Sequence, residues 1–79
     1  MSFKVKLCNS NNVALFVSIC SEYDSYIDYA IDRYIIDAKS IMGVLSTRLD
    51  QVATVTIDSE NKREIDSFKD NISLWIVEE

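Results

Sequence analysis

The part of the sequence that most constrains the fold is residues 37–46, which read DAKSIMGVLS. Ser40 precedes the apolar residues of this stretch, and a serine at that place typically caps a helix by accepting a hydrogen bond from a backbone amide. Gly43, the only glycine in the chain, lies inside the predicted helix and weakens it, because glycine is a poor helix former. The stretch therefore predicts a short, marginal helix that begins after Ser40.

Three segments around this helix alternate apolar and polar residues, which is the pattern of a half-buried strand. They are residues 3–7, 27–31 and 53–57. We expect a turn at residues 32–33, because residues 34–37 then return as a fourth strand of a hairpin.

Two further segments repeat apolar residues at helical spacing. The first helix is predicted to follow the capping residues 9–12 and to end near Tyr23, and Ser59 is a candidate cap for the last helix. The apolar face of the first helix consists of Val13, Phe16, Val17 and Cys20. The apolar face of the last consists of Ile65, Phe68, Ile72, Trp75 and Ile76.

The predicted element order is β-α-β-β-α-β-α, which belongs to the α+β class. Such an order packs as one four-stranded antiparallel sheet with three helices on a single face. A chain of 79 residues has room for one modest core, so we expect a single domain over residues 1–79.

Composition argues against several classes of function. The net charge is −5 and the eight basic residues are spread from Lys4 to Lys69, so no nucleic-acid partner is expected. No apolar run is long enough for a membrane span and no leader opens the chain, which favours the cytoplasm. Cys8 and Cys20 could form a disulfide, but free thiols are preferred, and two cysteines without histidine predict neither a metal site nor a cofactor.

The same composition argues against an enzyme. The absence of histidine removes the usual general base and every Ser-His or Cys-His dyad, and one glycine cannot build a phosphate-binding loop. The carboxylate pairs Asp24/Asp28 and Glu60/Glu64 could in principle do acid–base chemistry, but a solvated acidic surface explains them better. We therefore expect a protein that acts by binding partners.

The stretch around Ser40 closely resembles the regulatory-serine segment of HPr, the histidine-containing phosphocarrier of the bacterial sugar phosphotransferase system. In that family a Lys-Ser-Ile-Met-Gly run opens the short second helix, and here the run spans Lys39 to Gly43. The resemblance extends from Ala14 to Ile57 and is fainter over the first strand and the last helix. It implies an open-faced sandwich of four antiparallel strands under three helices, in agreement with the predicted order.

The chain departs from the family at the phosphorylation site. Counted back from Phe16, the position of the phosphate-carrying histidine falls on Asn9 and that of its partnering arginine on Asn11. The proline that follows falls on Asn12. An asparagine cannot form a phosphoimidazole, so the resemblance implies a family member without phosphocarrier chemistry and with no catalytic residue.

Three hypotheses follow. In the first, a serine kinase of the HPr type phosphorylates Ser40, and the protein binds a transcriptional regulator or phosphotransferase components. The nearest analogy is the histidine-less HPr paralogues of Gram-positive bacteria, which work as corepressors in carbon catabolite control. The partner-facing residues of this chain would be Lys39, Ile41, Met42 and Leu45. In the second, which the loss of arginine at Asn11 favours, the chain is an interaction or structural module without phosphorylation. In the third, Cys8 carries the phosphoryl group in place of histidine.

Overall fold

Four strands form one antiparallel sheet in the computed structural model, which describes residues 1–77. They are β1 (Ser2–Val5), β2 (Ile27–Ile31), β3 (Tyr34–Asp37) and β4 (Ala53–Ile57). The order across the sheet is β1-β4-β2-β3, and every neighbouring pair is antiparallel. The predicted four-stranded antiparallel sheet is confirmed.

The helices of the described residues are α1 (Ser10–Cys20), α2 (Ile41–Leu45) and α3 (Lys62–Ile72), and a 3₁₀ turn at Ser73–Trp75 follows. Their apolar residues pack on one face of the sheet, in a single core with the buried residues of β2 and β4. The predicted order and the α+β class are confirmed. Across residues 1–77, no helix is both long and apolar enough to cross a membrane.

Phe16 lies at the centre of the core. Its ring packs edge-on against Tyr29 of β2 and Trp75 of the 3₁₀ turn, with a centroid distance of 5.9 Å in both pairs. Aromatic pairs at this separation and angle are stabilising beyond the area that they bury. The opposite face of the sheet carries polar residues such as Asp28 and Thr56, so it remains open as the strand alternation predicts.

The first strand and the first helix end earlier than the sequence predicts. β1 stops at Val5, where its pairing with β4 ends, although Leu7 is buried on the predicted face. α1 stops at Cys20 rather than near Tyr23, because the amides of Glu22 and Tyr23 donate to carbonyls three residues back, those of Ile19 and Cys20, and the α-helical pattern ends in a tight turn.

Both ends of the last helix also differ from the prediction. Asn61, not Ser59, is the N-cap of α3, since its side chain lies directly before the helix and accepts from the amides of Arg63 and Glu64. Ile76 is not helical but forms a bridge with Val5 of β1. Periodicity alone cannot separate a continuing helix from a 3₁₀ turn that buries the same side chains.

The predicted hairpin turn joins β2 to β3 at residues 32–33. Asp32 adopts a left-handed backbone conformation with φ of 54°. Aspartate tolerates this region better than most residues, so the turn forms without glycine.

Candidate functional site

The loop before α1 is held by asparagine side chains. Asn9 is the N-cap of α1, and its Oδ1 accepts a hydrogen bond from the amide of Asn12 at 2.9 Å. The Nδ2 of Asn12 donates to the carbonyl of Leu7 at 2.7 Å. Asn11 lies exposed in the first turn of the helix. The side-chain amides of Asn9 and Asn12 thus form hydrogen bonds with backbone groups and stabilise the start of α1.

Cys8 lies directly before the cap in a left-handed conformation with φ of 75°. Its amide donates to the carbonyl of Leu49 at 2.8 Å, which ties the loop before α1 to the loop after α2. The thiol is exposed and its polar contact is the carbonyl of Lys6, at 3.8 Å. The carbonyl oxygen accepts a hydrogen bond from the thiol, but it offers no positive charge to hold a phosphoryl group.

Ser40 is the N-cap of α2, as the sequence predicts. Its Oγ accepts from the amide of Gly43 at 3.3 Å, and its own amide donates to the carbonyl of Asp37 at 2.9 Å. The residue is exposed. The hydroxyl therefore lies at the surface, held by a long hydrogen bond that a modifying enzyme could displace at small cost.

Gly43 has a steric role that its low helix propensity conceals. A Cβ added at this residue would lie 2.7 Å from Cγ2 of Ile36 and 3.2 Å from Oγ of Ser40. Only a residue without a side chain lets α2 approach β3 this closely. The glycine thus places the start of α2, and Ser40 with it, against the end of β3.

The surface of α2 carries an exposed apolar group next to Ser40. We define the α2 patch as Ile41, Met42 and Leu45; all three are exposed, and Met42 is 74% accessible. Val44 is fully buried and anchors the helix to the core. The short helix therefore directs one residue inward and three outward, which is how a partner-facing patch is arranged.

Lys39 differs from its neighbours because its ammonium group is already engaged. Nζ donates to the carbonyl of Tyr23 at 2.5 Å, and the side chain is half-buried. This bond fastens the segment before α2 to the loop after α1. A partner that uses Lys39 would have to replace the carbonyl of Tyr23.

The helices α1 and α2 pack against each other, with the loop before α1 tied to the loop after α2 through Cys8 and the segment before α2 tied to the loop after α1 through Lys39. Leu15, which the sequence analysis did not single out, is a further exposed apolar residue on α1. It lies off the apolar stripe of α1 that faces the core. An apolar residue at such a position is expected to be exposed, so the helical spacing in the sequence could have identified it.

The titratable groups with clearly shifted pKa values lie elsewhere. Burial raises the pKa of the Cys20 thiol to about 12, so this cysteine stays protonated in the core. A hydrogen bond from Ser25 lowers the pKa of the Glu64 carboxyl. Within residues 1–77, no group of three His, Cys, Asp or Glu side chains could hold a metal ion.

Comparison with known proteins now adds a family. Residues 8–72 match the family model described as the PTS HPr component phosphorylation site. No protein of curated function matches the chain significantly.

Solved structures give the same result for the fold. The chain is similar to HPr-C-His from Thermoanaerobacter tengcongensis, with 26% identity and a TM-score of 0.74 over 92% of this chain and 91% of that one. It is also similar to the phosphocarrier protein HPr of Bacillus anthracis, at 21% identity and a TM-score of 0.68 over 91% and 95%. The histidine-containing phosphocarrier protein of a mycoplasma aligns at 16% identity and a TM-score of 0.73 over 99% and 100%.

Proposed function

The chain belongs to the HPr family of phosphotransferase-system components, and from this premise we propose that it is a regulatory, partner-binding member that acts through Ser40 rather than a phosphocarrier or an enzyme. The observation that carries the proposal is the exposed hydroxyl of Ser40, which caps α2 beside the α2 patch in a chain of 79 residues without histidine. We place this activity in the cytoplasm and in one HPr-like domain over residues 1–79.

The proposed loss of carrier chemistry rests on the loop before α1. The family resemblance puts Asn9 where the phosphorylated histidine would be and Asn11 where its arginine would be. An amide nitrogen is not nucleophilic, because its lone pair is delocalised into the carbonyl, and Asn11 lacks the donor fork with which arginine holds a phosphate. Asn9 is also engaged as a helix cap through the amide of Asn12.

The proposed regulatory step is phosphorylation of Ser40. The serine oxygen would attack the γ-phosphorus of ATP, lose its proton to a base of the kinase and release ADP. The product adds about −1.5 to −2 charges beside the α2 patch. A partner that buries Ile41, Met42 and Leu45 would then meet a strongly negative rim, so phosphorylation would select among partners by charge.

The proposed partners are a serine kinase of the HPr type, a transcriptional regulator and components of the phosphotransferase system. Carbon catabolite control is the process in which family members with a regulatory serine take part, and we propose it here on that likeness. The α2 patch supports a protein partner, because exposed apolar side chains around a charge-tunable residue suit a protein interface.

One alternative has an observation in its favour. The ammonium group of Lys39 is bound to the carbonyl of Tyr23, and Asn11 supplies no cation, so neither residue offers a free positive charge at the candidate phosphoserine. An interaction module that is never phosphorylated would have this arrangement. The experiment below separates the two functions.

The test is the intact mass of the protein after incubation with ATP and an HPr-type serine kinase. We expect one added phosphate on the wild type and none on Ser40→Ala. The matched control is Ser46→Ala, since Ser46 is another exposed serine at an end of α2 and should not be needed. If the wild type gains no phosphate while an ordinary HPr is phosphorylated in the same reaction, the regulatory proposal fails and the unmodified module stands.

The α2 patch is tested in the same reaction. Met42→Glu should slow phosphorylation of Ser40 several-fold, because a charge would enter the apolar contact with the kinase. Leu74→Glu is the control, since Leu74 is at least as exposed but lies outside the patch. Equal rates for the two variants would remove the patch from the kinase interface.

A further inference from the structure

The open edge of the sheet is β3. At the opposite side, the C-terminal segment covers the outer edge of β1, where the amide of Lys6 donates to the carbonyl of Trp75 at 2.9 Å and the amide of Val77 donates to the carbonyl of Lys4 at 2.8 Å. β3 is last in the strand order and has a neighbour on one side, β2. Within residues 1–77, strand backbone is therefore presented to the outside at β3.

Residues of β3 point their backbone groups alternately towards β2 and away from it. The amide of Ala38 donates to the carbonyl of Ile27 at 2.9 Å, which fixes the phase of this alternation. By that phase, the backbone groups of Ile35 and Asp37 face outward. The carbonyl of Asp37 already accepts from the amide of Ser40, so Ile35 is the residue that offers both a donor and an acceptor to another strand.

The centre of this edge is apolar and unprotected. Ile35 is 75% accessible, and its neighbour Tyr34 is 67% accessible. Folded proteins usually protect an edge strand with a charge or a proline at its centre, because an exposed apolar edge attracts other strands. β3 has its charges at the ends instead.

Those charges are opposite in sign and lie symmetrically about Ile35. Arg33 precedes it by two residues and Asp37 follows it by two. Asp37 is also directly opposite Asp28 of β2, and like charges in facing positions destabilise a sheet. A positive charge brought to this point from outside would relieve that repulsion.

We propose that two copies of the chain associate by antiparallel pairing of their β3 edges, with Ile35 on the two-fold axis. The two Ile35 residues would exchange a pair of backbone hydrogen bonds and place their side chains in contact. Arg33 of each copy would face Asp37 of the other, where it also reduces the repulsion between Asp37 and Asp28. The result is a continuous eight-stranded sheet.

The pattern of residues fits a second copy better than another strand. When two β3 strands pair antiparallel about Ile35, the Arg33 of each copy faces the Asp37 of the other copy. The pairing therefore makes two ion pairs and one contact between isoleucines. A register that sets Ile35 against Asp37 loses both ion pairs and brings Arg33 against Lys39. The charges therefore select both the partner and the register.

The proposed association is weak because the pairing strand is short. β3 has four residues, so the contact buries less than the roughly 1,200 Å² of a stable interface, and the expected dissociation constant is on the order of 0.1–1 mM. The net charge of −5 on each copy also opposes approach. This inference goes beyond the proposed function and does not depend on Ser40.

The test is sedimentation of the whole chain from about 20 µM to about 2 mM at near-physiological salt, a range that spans the expected dissociation constant. The average mass of the wild type should rise from monomer towards dimer. Arg33→Asp and Ile35→Lys should each weaken association at least about ten-fold. Arg63→Asp is the matched control, because it makes the same charge change at an exposed position of α3 and should associate as the wild type does.

A charge exchange tests the register. Asp37→Arg alone should weaken association, and the double variant Arg33→Asp/Asp37→Arg should restore it, since both ion pairs are re-formed with reversed polarity. In parallel, hydrogen exchange of the Ile35 amide should slow with rising concentration in the wild type. Arg33→Asp and Ile35→Lys change exposed side chains and keep the proposal testable if Asp37→Arg fails to fold.

Three results would overturn the proposal. The first is a wild type that stays monomeric up to the highest concentration. The second is association that neither Arg33→Asp nor Ile35→Lys weakens, which would place the contact on another face. The third is a folded double variant that does not recover, which would refute the register. Ser40→Ala should associate like the wild type, so the outcome for Ser40 and the outcome for β3 are read separately.

Discussion

Replacing Gly43 with alanine measures how closely α2 must approach β3. In an unconstrained helix this change stabilises by about 1 kcal/mol, because alanine is the best helix former and glycine one of the worst. In this protein the new Cβ would lie 2.7 Å from Cγ2 of Ile36. Carbon atoms do not approach so closely, so either the side chain of Ile36 or the helix has to move.

The contact with Ile36 decides the sign of the effect. Cγ2 is bonded directly to the β-carbon, so it moves away only by rotation about χ1 or by displacement of β3. Overpacking of this kind costs about 1–3 kcal/mol, which exceeds the gain in helix propensity of about 1 kcal/mol. We expect Gly43→Ala to lower the free energy of unfolding by roughly 1 kcal/mol, within a range of about 0–2.

Urea unfolding of a double-mutant cycle gives the measurement. Ile36→Leu keeps the number of carbon atoms but removes the branched methyl group, so Gly43→Ala should be neutral or stabilising in that background. The coupling free energy should be about 1–2 kcal/mol. Ser18→Ala, at an exposed position within α1, is the control that reports helix propensity alone.

The reasoning would be refuted by a simple result. If Gly43→Ala stabilises the protein by about 1 kcal/mol in both backgrounds, helix propensity is the whole effect. The close approach between α2 and Ile36 would then not constrain the helix, and Gly43 would not position Ser40.

Three further predictions concern the caps and one carboxyl group. Ser40→Ala should lower the free energy of unfolding by about 0.5–1 kcal/mol, because the capping bond is long at 3.3 Å, whereas Ser40→Asp should keep the cap; equal losses in urea unfolding would contradict the capping role. Asn9→His combined with Asn11→Arg should restore acid-labile labelling by phosphoenolpyruvate and the first enzyme of the system, and a folded but inert double variant would show that the residues are matched wrongly in this loop. The hydrogen bond from Ser25 lowers the folded-state pKa of Glu64 below its ordinary value of 4.5, so its contribution is full above pH 4.5 and is lost as pH falls through the lower pKa. Glu64→Gln should therefore flatten the decline of the urea midpoint below that pH, and an unchanged profile would contradict this.

The sheet could be predicted because its strands are buried on one face. In β2 and β4 every second residue enters the core, so Tyr29 and Val55 are fully buried while their neighbours are not. A period of two is a strong signal when one face is dry and the other wet. The apolar stripe of α1 is equally regular, because Val13 and Phe16 both face the same sheet.

The ends of the elements could not be predicted with the same accuracy. Ser59 and Asn61 are both residues that cap helices, and only the path of the chain places Asn61 at the start of α3. Ile76 follows the 3₁₀ turn and pairs with Val5, a residue from the other end of the sequence. A partner so distant along the chain leaves no local pattern.

In the candidate site as well, local features could be predicted from the sequence and contacts between distant segments could not. The cap by Ser40 is local and was predicted from the serine and the apolar residues after it. The bond from Lys39 to the carbonyl of Tyr23 joins segments that meet only in the fold, so the sequence could not show that the predicted partner-facing lysine is engaged within the chain. Gly43 was interpreted as a weak point of α2, whereas the structure shows that the helix needs it to pack against Ile36.

The two helix caps show how the proposed loss of chemistry is compatible with an intact fold. At the start of α1, asparagine is among the best capping residues, and Asn9 satisfies an amide of the first turn. A histidine there would supply a nucleophile but a poorer cap, so asparagine favours the helix and, on the proposed function, provides no carrier chemistry. At the start of α2, Ser40 serves as a cap and as a candidate site of phosphorylation at once, because one exposed oxygen can do both. On the proposed function, helix stability favours the serine at residue 40 but gives no advantage to a histidine at residue 9, so a regulatory serine is compatible with the absence of carrier chemistry.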